Sequence, residues 1–462
     1  MSIIPGTTPF AAPWRPPRLG ADSSPAPQKA EPLARALATV IRWSPLLWLC
    51  GLLYASLAVL LVAMAGRRWP RPALLALTCW LWIGVGVAQA VASVLNGIVV
   101  GDLALGLRNA LSFTVLGWMV AGLAMAAGAS MGQRGERLAS LMAWLAMYTL
   151  VLGVPSLMLS WSGVEEMTWT TPVLLLAGDG DAVRFYASAL FFVRESTLGE
   201  LTTRLCLMYP WSPALGIGSV GLGLICSRVD HRGWRWLGWA GSALGIVFSW
   251  GRLAMGCTLV VAALMLLLRL PPWLRAMAVL GGLCLALLAY LNGFDAVSAV
   301  VDTQAAVGEA RSGSSMARTL IYEASWAGFL ESPWIGHGWV GESVHRIEHL
   351  PIGSHSTVFG TLYTGGVPVF GAFVIAMLAT LAAIVAAAAG TRDVDQRKDL
   401  AVAFCLWVVL CMSSFYESLY SLTLPCFFFF VWIGATLGRG HAAVRQSGPP
   451  PISVRASLPS LP

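Results

Sequence analysis

The sequence predicts an all-α protein, a polytopic bundle of about 11–12 transmembrane helices with a large, partly helical extracytoplasmic loop. Only 11% of the 462 residues are charged and 57% are apolar, whereas soluble domains carry about 25% charged residues. Many apolar runs approach the roughly 20 residues that a helix needs to cross a bilayer. These runs lack the strict alternation of barrel strands, so helices are the structure that could satisfy their backbone polar groups in lipid.

Residues 1–44 differ from the rest of the chain because they contain eight prolines and no apolar run of signal-peptide length. A segment of this composition buries too little apolar surface to fold. We therefore expect a disordered, proline-rich tail here. Residues 439–462 are also proline-rich and contain no acidic residue, so we expect a second disordered tail, on the cytoplasmic side.

Eleven apolar runs between the two tails predict transmembrane spans. They form an N-terminal transmembrane bundle over 45–291 and C-terminal transmembrane helices over 357–438. The runs lie at 45–66, 72–97, 106–129, 138–160, 209–227, 235–251, 253–270, 273–291, 357–389, 400–418 and 421–438.

Basic residues in the short loops predict the orientation, because cytoplasmic loops are enriched in lysine and arginine. Three such loops contain Arg228, Arg232 and Arg235, then Arg269 and Arg275, then Arg392, Arg397 and Lys398. If these loops are cytoplasmic, then segments 161–208 and 292–356 face the opposite side. That side is the periplasm if the cell is Gram-negative.

The N-terminus conflicts with this orientation. Arg67, Arg68 and Arg71 also indicate a cytoplasmic loop, which would place residues 1–44 outside although that tail is itself basic. We therefore expect a twelfth, weakly marked span, with both termini inside.

The polar loop 292–356 is the predicted catalytic region. It contains seven acidic residues, and four of the six histidines lie from His337 to His355. Its aromatic residues, among them Trp326 and Trp334, supply enough apolar surface to fold against the membrane face. Loops of this length are usually functional or disordered, and the aromatic residues favour the former.

Three short motifs in and before this loop carry the residue types that polar chemistry requires. They are Phe248-Ser249-Trp250-Gly251-Arg252, then Arg318 followed by Ser332-Pro333-Trp334-Ile335-Gly336-His337-Gly338, and then His355-Ser356 followed by Gly365-Gly366.

At these positions the chain resembles the bacterial family of O-antigen ligases and O-antigen or exopolysaccharide polymerases, over about residues 245–375. The resemblance implies glycosyl transfer at the outer face of the bacterial inner membrane. It also implies a donor glycan carried on a polyprenyl diphosphate, loop arginines that bind the diphosphate, and a histidine that takes part in catalysis. No cofactor and no metal site are expected.

The chemistry of the side chains agrees with these implied roles. A guanidinium is always charged and can grip two phosphate oxygens, so Arg252 and Arg318 are candidate diphosphate ligands and Arg311 is a further one. A histidine can act as general base near neutral pH. We expect His355 to have this role, with His337 as the second candidate.

Each candidate also has a structural interpretation that the sequence leaves open. In these structural interpretations, Arg252 is an anchor at the membrane interface and Arg318 forms an ion pair with Glu323. His355 is the neighbour of a serine that caps the helix, and His337 is an ordinary turn residue.

Segment 161–208 carries Arg184, Arg194 and Arg204 at ten-residue spacing. Arg184 is a candidate substrate-binding residue because the segment should lie on the same face as the main loop. The alternative is a solvated, partly helical loop.

A zinc-type motif lies in the same loop. Residues 345–349 read His-Arg-Ile-Glu-His, the H-x-x-E-H arrangement of some zinc proteases. Pro351 would end a helix two residues later, so a solvated amphipathic turn is the favoured interpretation.

The family resemblance favours a polymerase that joins lipid-linked polysaccharide repeat units, because the segments Gly-Ser-His-Ser-Thr at 353–357 and Gly365-Gly366 are more similar to exopolysaccharide members. The alternative is an O-antigen ligase that transfers glycan to a lipid A core. A transporter of lipid-linked glycan is less favoured. Transporters usually place ionisable groups within their spans, whereas the predicted spans of this chain hold almost none away from their ends. Expected partners are the glycan donor, the glycan acceptor and membrane lipid, with a flippase and a chain-length regulator as further candidates. The net charge of +7 lies mostly in loops and tails, so no nucleic acid partner is expected.

Overall fold

The computed structural model describes residues 31–65, 69–70, 73–131, 135–178, 186–197, 200–271, 273–278, 280, 312–344 and 351–446. The helices with defined bounds are α1 (Glu31–Arg42), α2 (Ser44–Leu49), α3 (Leu53–Ala65), α4 (Ala73–Val100), α5 (Leu103–Leu111), α6 (Met119–Met131), α7 (Gly135–Trp161), α8 (Pro172–Ala177), α9 (Ser212–Cys226), α10 (Arg232–Phe248), α11 (Arg252–Arg269), α12 (Ser312–Glu331), α13 (Thr357–Gly390), α14 (Val394–Tyr416) and α15 (Thr423–Gln446).

The helices confirm an all-α, multi-pass membrane protein. Five of them, α4, α7, α11, α13 and α14, are long and apolar enough to cross a membrane, and shorter apolar helices occur at α6, α9 and α15. A π-helical turn over Ser112–Trp118 joins α5 to α6. The predicted span 273–291 lies mostly outside the described residues.

The N-terminal part of the bundle differs from the prediction in two ways. Helix α1 occupies part of the expected disordered tail, residues 1–44, and its Leu37 and Ile41 are fully buried. The predicted span 45–66 is not one helix, because the chain reverses at Gly51, which has a positive φ of 79°. A Cβ atom at Gly51 would lie 2.5 Å from Thr171 Oγ1, so this turn packs against the start of α8, between β1 and β2.

The hydrogen bond from Trp43 N–H to Thr39 O and that from Leu47 N–H to Trp43 O join α1 to α2. Together the two helices form a hairpin with α3. The expected tail is therefore helical over 31–42, and the twelfth span stays a prediction.

A small antiparallel sheet lies in segment 161–208, where a partly helical loop is the sequence-based alternative. It consists of β1 (Glu166–Trp169), β2 (Ala189–Thr197) and β3 (Glu200–Leu205), in the order β1-β2-β3. Phe192 on β2 pairs with Leu205 on β3, and both side chains are fully buried against the bundle. The apolar side of the sheet therefore packs on the helices.

The bundle has two chemically different ends. At the arginine end, the Asp399 carboxylate accepts hydrogen bonds from Arg228 Nε at 2.6 Å and Arg439 Nη2 at 2.5 Å. Helix α7 begins beside Asp399 at Gly135 and reaches the sheet end, where Ser160 and Thr203 of β3 share a hydrogen bond of 2.6 Å. Helix α14 begins at the arginine end and finishes near α12. The sheet and α12 therefore share the sheet end.

Helix α13 is broken at Gly366, whose φ of 65° and ψ of −164° are not helical. The predicted turn at 332–338 fills this break. The amide N–H groups of His337 and Gly338 donate to Tyr363 O and Thr364 O, each at 2.8 Å, and Val367 N–H donates to Pro333 O at 2.8 Å. Backbone groups that the break would leave unpaired inside the protein are satisfied in this way.

Polar side chains of α4 hold the same turn from the other side. Ser93 Oγ donates to Gly338 O at 2.6 Å, and Asn96 Nδ2 donates to Ile335 O at 3.3 Å. Gln89 accepts a hydrogen bond from the hydroxyl of Thr364 at 3.1 Å. The turn is thus fixed between α4 and α13 before it leads into the rest of the loop.

Candidate functional site

Arg318 lies on α12 at the sheet end and its guanidinium contacts the end of α14. Its Nη1 donates to Tyr416 O at 3.0 Å, and its Nη2 donates to Glu417 Oε1 at 3.1 Å. The ion partner of Arg318 is thus Glu417 and not Glu323, which the sequence offered as an alternative and which is exposed. About a third of the Arg318 side chain, 33%, remains accessible, so the guanidinium can still meet a substrate.

Glu417 is the residue that sequence reasoning missed. It caps the C-terminal end of α14, and its side chain is only 4% exposed. Its Oε2 accepts a hydrogen bond from Trp211 Nε1 at 3.3 Å. Burial raises the pKa of the carboxyl group, and Arg318 opposes that effect. One signal was available, since Glu417 is the only acidic residue after Asp399.

His355 lies directly before α13 with a positive φ of 58°. The following residue, Ser356, is the N-cap of α13 and accepts the Phe359 N–H at 3.3 Å, as the capping alternative expected. Burial, and then the charge of Arg318, lower the pKa of His355 to about 4. The imidazole is therefore neutral near pH 7 and has a lone pair that can accept a proton.

Tyr322 joins the two candidate residues. It lies one helical turn after Arg318 on α12. Its hydroxyl contacts His355 O at 3.1 Å and Phe415 O at 3.4 Å. Its ring stacks on Phe359 of α13 at a centroid distance of 4.9 Å. Tyr322 thus connects α12, α13 and α14 around the site.

Backbone strain is concentrated around this region. Among the described residues, those other than glycine with a positive φ are Leu207 at 53°, Trp250 at 50° and His355 at 58°. Trp250 belongs to the first predicted motif and His355 to the third. Strain of this kind costs about 1–3 kcal/mol per residue and is concentrated at functional sites.

Arg252 is the first residue of α11, and its side chain is exposed. The preceding turn contacts the sheet, because Arg204 Nε donates to Ser249 O at 3.5 Å. Arg204 also forms an ion pair with Glu195, and its charge favours the ionised form of Glu417. Arg204 therefore connects the Arg252 motif to the sheet.

His337 has a different environment from His355. Its Nε2 lies 2.9 Å from Gly328 O, and its ring stacks on Tyr363 at 4.5 Å. Its amide N–H donates to Tyr363 O, as described above. Because both the ring and the backbone are engaged by α12 and α13, the geometry favours a turn role for His337 and leaves His355 as the better candidate for a base.

Two predicted site residues, Arg184 and Arg311, lie outside the described residues, and so does the zinc-type motif at 345–349. The structure therefore brings Arg318 and His355 together at the end of α14, where Tyr322 lies between them, and joins the Arg252 turn to the sheet through Arg204.

Residues 237–374 match the family model described as O-antigen ligase. The matched segment contains Arg252, Arg318 and His355, and the match confirms the family resemblance recognised in the sequence. No curated protein matches the chain. Glu417, Trp211 and Arg204 lie outside the matched segment.

Proposed function

Because residues 237–374 match the O-antigen ligase family, we propose that this membrane protein is a glycosyltransferase. It moves a glycan from a polyprenyl diphosphate to an acceptor hydroxyl at the sheet end of the bundle. The observation that most supports this proposal is that the partly exposed Arg318 and Tyr322 both contact the end of α14, where the Tyr322 hydroxyl also meets His355 O.

The proposed reaction breaks the bond between the anomeric carbon of the donor glycan and a diphosphate oxygen. A new bond forms between that carbon and the acceptor oxygen, and His355 takes the acceptor proton. Negative charge grows on the departing diphosphate, where a guanidinium stabilises it best. Arg318 is the proposed ligand, assisted by Arg252 and, from the segments outside the described residues, Arg311 and Arg184.

We also propose that the sheet end faces the periplasm of a bacterial inner membrane. The arginine end collects Arg228 and Arg439, and the basic loops near it are expected in the cytoplasm. Lipid-linked glycan would then reach the site from the outer leaflet, consistent with a flippase as partner.

The finer proposal is a polymerase, in which the acceptor is a second lipid-linked repeat unit. The sequence 353–357, Gly-Ser-His-Ser-Thr, and Gly365-Gly366 favour this choice because they are more similar to exopolysaccharide members of the family. The description of the matched family favours the second candidate, a ligase whose acceptor is a lipid A core.

The test is glycan transfer by purified protein in proteoliposomes that contain a polyprenyl-diphosphate-linked glycan. We expect Arg318→Ala and His355→Ala each to lower the transfer rate at least about a hundredfold, in the range that removal of a general base or a charge-stabilising group produces. Arg318→Lys should also be poor, because an ammonium cannot make the forked contact.

Arg269→Ala is the matched control, because this exposed arginine ends α11 at the opposite end from Arg252. It should retain full transfer. Supplying either a second lipid-linked unit or a lipid A core identifies the acceptor. Full activity of both Arg318→Ala and His355→Ala would refute the proposed catalytic site.

A further inference from the structure

We infer that Glu417 is a positioning residue that aims the Arg318 guanidinium at the donor diphosphate, and that a carboxylate is specifically required there. This inference rests on the proposed function, because it assigns a role within the same site. Glu417 lies on α14, outside the matched segment 237–374, and its nearly complete burial prevents it from touching substrate directly.

The two carboxylate oxygens of Glu417 face two donors. Oε1 accepts from Arg318 Nη2 at 3.1 Å, and Oε2 accepts from Trp211 Nε1 at 3.3 Å. An ionised carboxylate accepts on both oxygens, whereas a glutamine side chain accepts on one atom and donates from the other. A glutamine at 417 would therefore place its amide N–H₂ against the N–H of either Arg318 or Trp211. One of the two contacts would be lost.

The backbone of Glu417 is fixed as firmly as its side chain. Its amide N–H donates to Ser413 O at 2.8 Å, and its carbonyl accepts the Thr357 hydroxyl at 2.7 Å. The same hydroxyl accepts the Leu419 N–H at 2.9 Å. Thr357 begins α13 two residues after His355. The hydrogen bonds of Thr357 thus connect the segment that holds Arg318 with the start of α13, which His355 precedes.

The orientation of Arg318 follows from these contacts. Nη1 is held by Tyr416 O and Nη2 by Glu417, so one side of the guanidinium is committed to the end of α14. The side chain is still 33% accessible. A planar guanidinium fixed on one side presents its other N–H groups in a defined direction, which is what a forked phosphate contact requires.

The alternative role for Glu417 is to weaken the charge of Arg318. The two roles predict opposite results for Glu417→Gln. If the carboxylate only offset the positive charge, its removal would strengthen donor binding and raise the rate. If it positions the guanidinium, its removal lowers kcat, because the contact is needed most where charge develops in the transition state.

The experiment compares Glu417→Gln with Glu323→Gln, a matched control on α12 that removes an exposed carboxylate near Arg318 in sequence. We expect Glu417→Gln to lower kcat about tenfold or more, while the KM for the lipid-linked donor changes less than threefold. Glu323→Gln should match the wild-type protein. Unchanged or increased kcat in a folded Glu417→Gln protein would overturn the inference.

The double variant Arg318→Ala/Glu417→Gln tests whether Glu417 acts through Arg318. Its kcat should be no lower than that of Arg318→Ala alone, because no cation is left for Glu417 to position. Fully additive losses would contradict a positioning role.

If Glu417→Gln does not fold, Trp211→Phe tests the inference in its place. This change removes one hydrogen-bond donor to Glu417 and keeps the ion pair between Glu417 and Arg318. A fall in kcat of about threefold at unchanged Tm supports the inference, and an unchanged kcat overturns it. The proposed function fails separately, if the wild-type protein shows no transfer or if Arg318→Ala is fully active.

Discussion

The His355 imidazole is neutral over most of the physiological pH range because burial, and then the charge of Arg318, lower its pKa to about 4. A base with such a pKa is weak, but it is almost entirely in the reactive, unprotonated form at pH 7. His355 has a positive φ and lies directly before α13, beside Ser356, which caps that helix. At the residue scale, the proposed site thus combines a cation that is held in place with a candidate base that stays uncharged.

We expect the pH dependence of kcat/KM to report this lowered pKa. A histidine with an ordinary pKa of about 6.5 would lose half of its basic form at that pH, whereas His355 should lose activity only as the pH falls through about 4. The donor diphosphate offsets the charge of Arg318, so the acid limb of kcat should lie at higher pH than that of kcat/KM. Initial transfer rates between pH 3.5 and 8 provide the measurement. An acid limb of kcat/KM near 6.5 would contradict the assignment.

Sequence motifs predicted Arg318 and His355 as site residues but gave no indication of the residue that pairs with Arg318. Glu417 lies 99 residues from Arg318 in sequence, and no local spacing relates a loop arginine to the end of a later helix. The alternative partner, Glu323, was proposed because it is near in sequence. Long-range ion pairs of this kind depend on tertiary packing, which one sequence does not reveal.

At the element scale, the loop is organised by the break in α13. The turn at 332–338 donates its amide groups to α13, and α4 holds it from the other side. Sequence patterns predicted α13, this turn and the Gly365-Gly366 pair, but not that they pair with each other. They also missed the reversal at Gly51, because apolar residues continue on both sides of it, and the sheet, because its strands are short and half exposed.

Gly336→Ala tests the docking of this turn. Gly336 has a positive φ of 58°, and a Cβ atom there would lie 2.5 Å from Gly365 N and 2.7 Å from Tyr363 O. We expect a loss of at least about 2 kcal/mol in the free energy of unfolding, from the left-handed backbone and the backbone clash together. Thermal unfolding in detergent would detect this loss as a lower Tm.

Gly371→Ala is the control on α13, the helix that the turn docks against, because a Cβ atom there meets nothing within 4 Å. It should leave Tm unchanged or slightly higher, since alanine favours helix over glycine. Equal Tm values for the two variants would mean that the turn is not docked as described.

At the scale of the whole molecule, the two ends of the bundle differ in the burial of their charged groups. The sheet end carries the partly exposed Arg318, whereas the arginine end closes on Asp399, which is 1% exposed. Arg228 follows α9, Asp399 belongs to α14 and Arg439 belongs to α15, so one carboxylate ties the ends of three helices together. The sequence predicted the basic character of this end but not its buried acid.

Removal of the Asp399 carboxylate should destabilise the whole bundle. Asp399→Ala removes the acidic partner of Arg439 and leaves Arg228 with only the longer contacts to Asp395 and Glu136, at 3.6 and 3.9 Å. Loss of one member of a buried ion network costs about 3–5 kcal/mol.

Asp395→Asn is the comparison within the same network, since the Asp395 carboxylate also lies 3.6 Å from Arg228 Nη2 and pairs with Lys398, but its side chain is 59% exposed. Tm should fall strongly for Asp399→Ala and change little for Asp395→Asn. Equal Tm values would show that Asp399 is not a structural tie.

The dependence of Arg318 on α14 and on Trp211 before α9 has a consequence for protein engineering. Chimeras that exchange only residues 237–374 between relatives would import the arginine without its counter-ion, since both supporting residues lie beyond that boundary. Functional exchange should therefore require grafting the end of α14 and the start of α9 together with the loop.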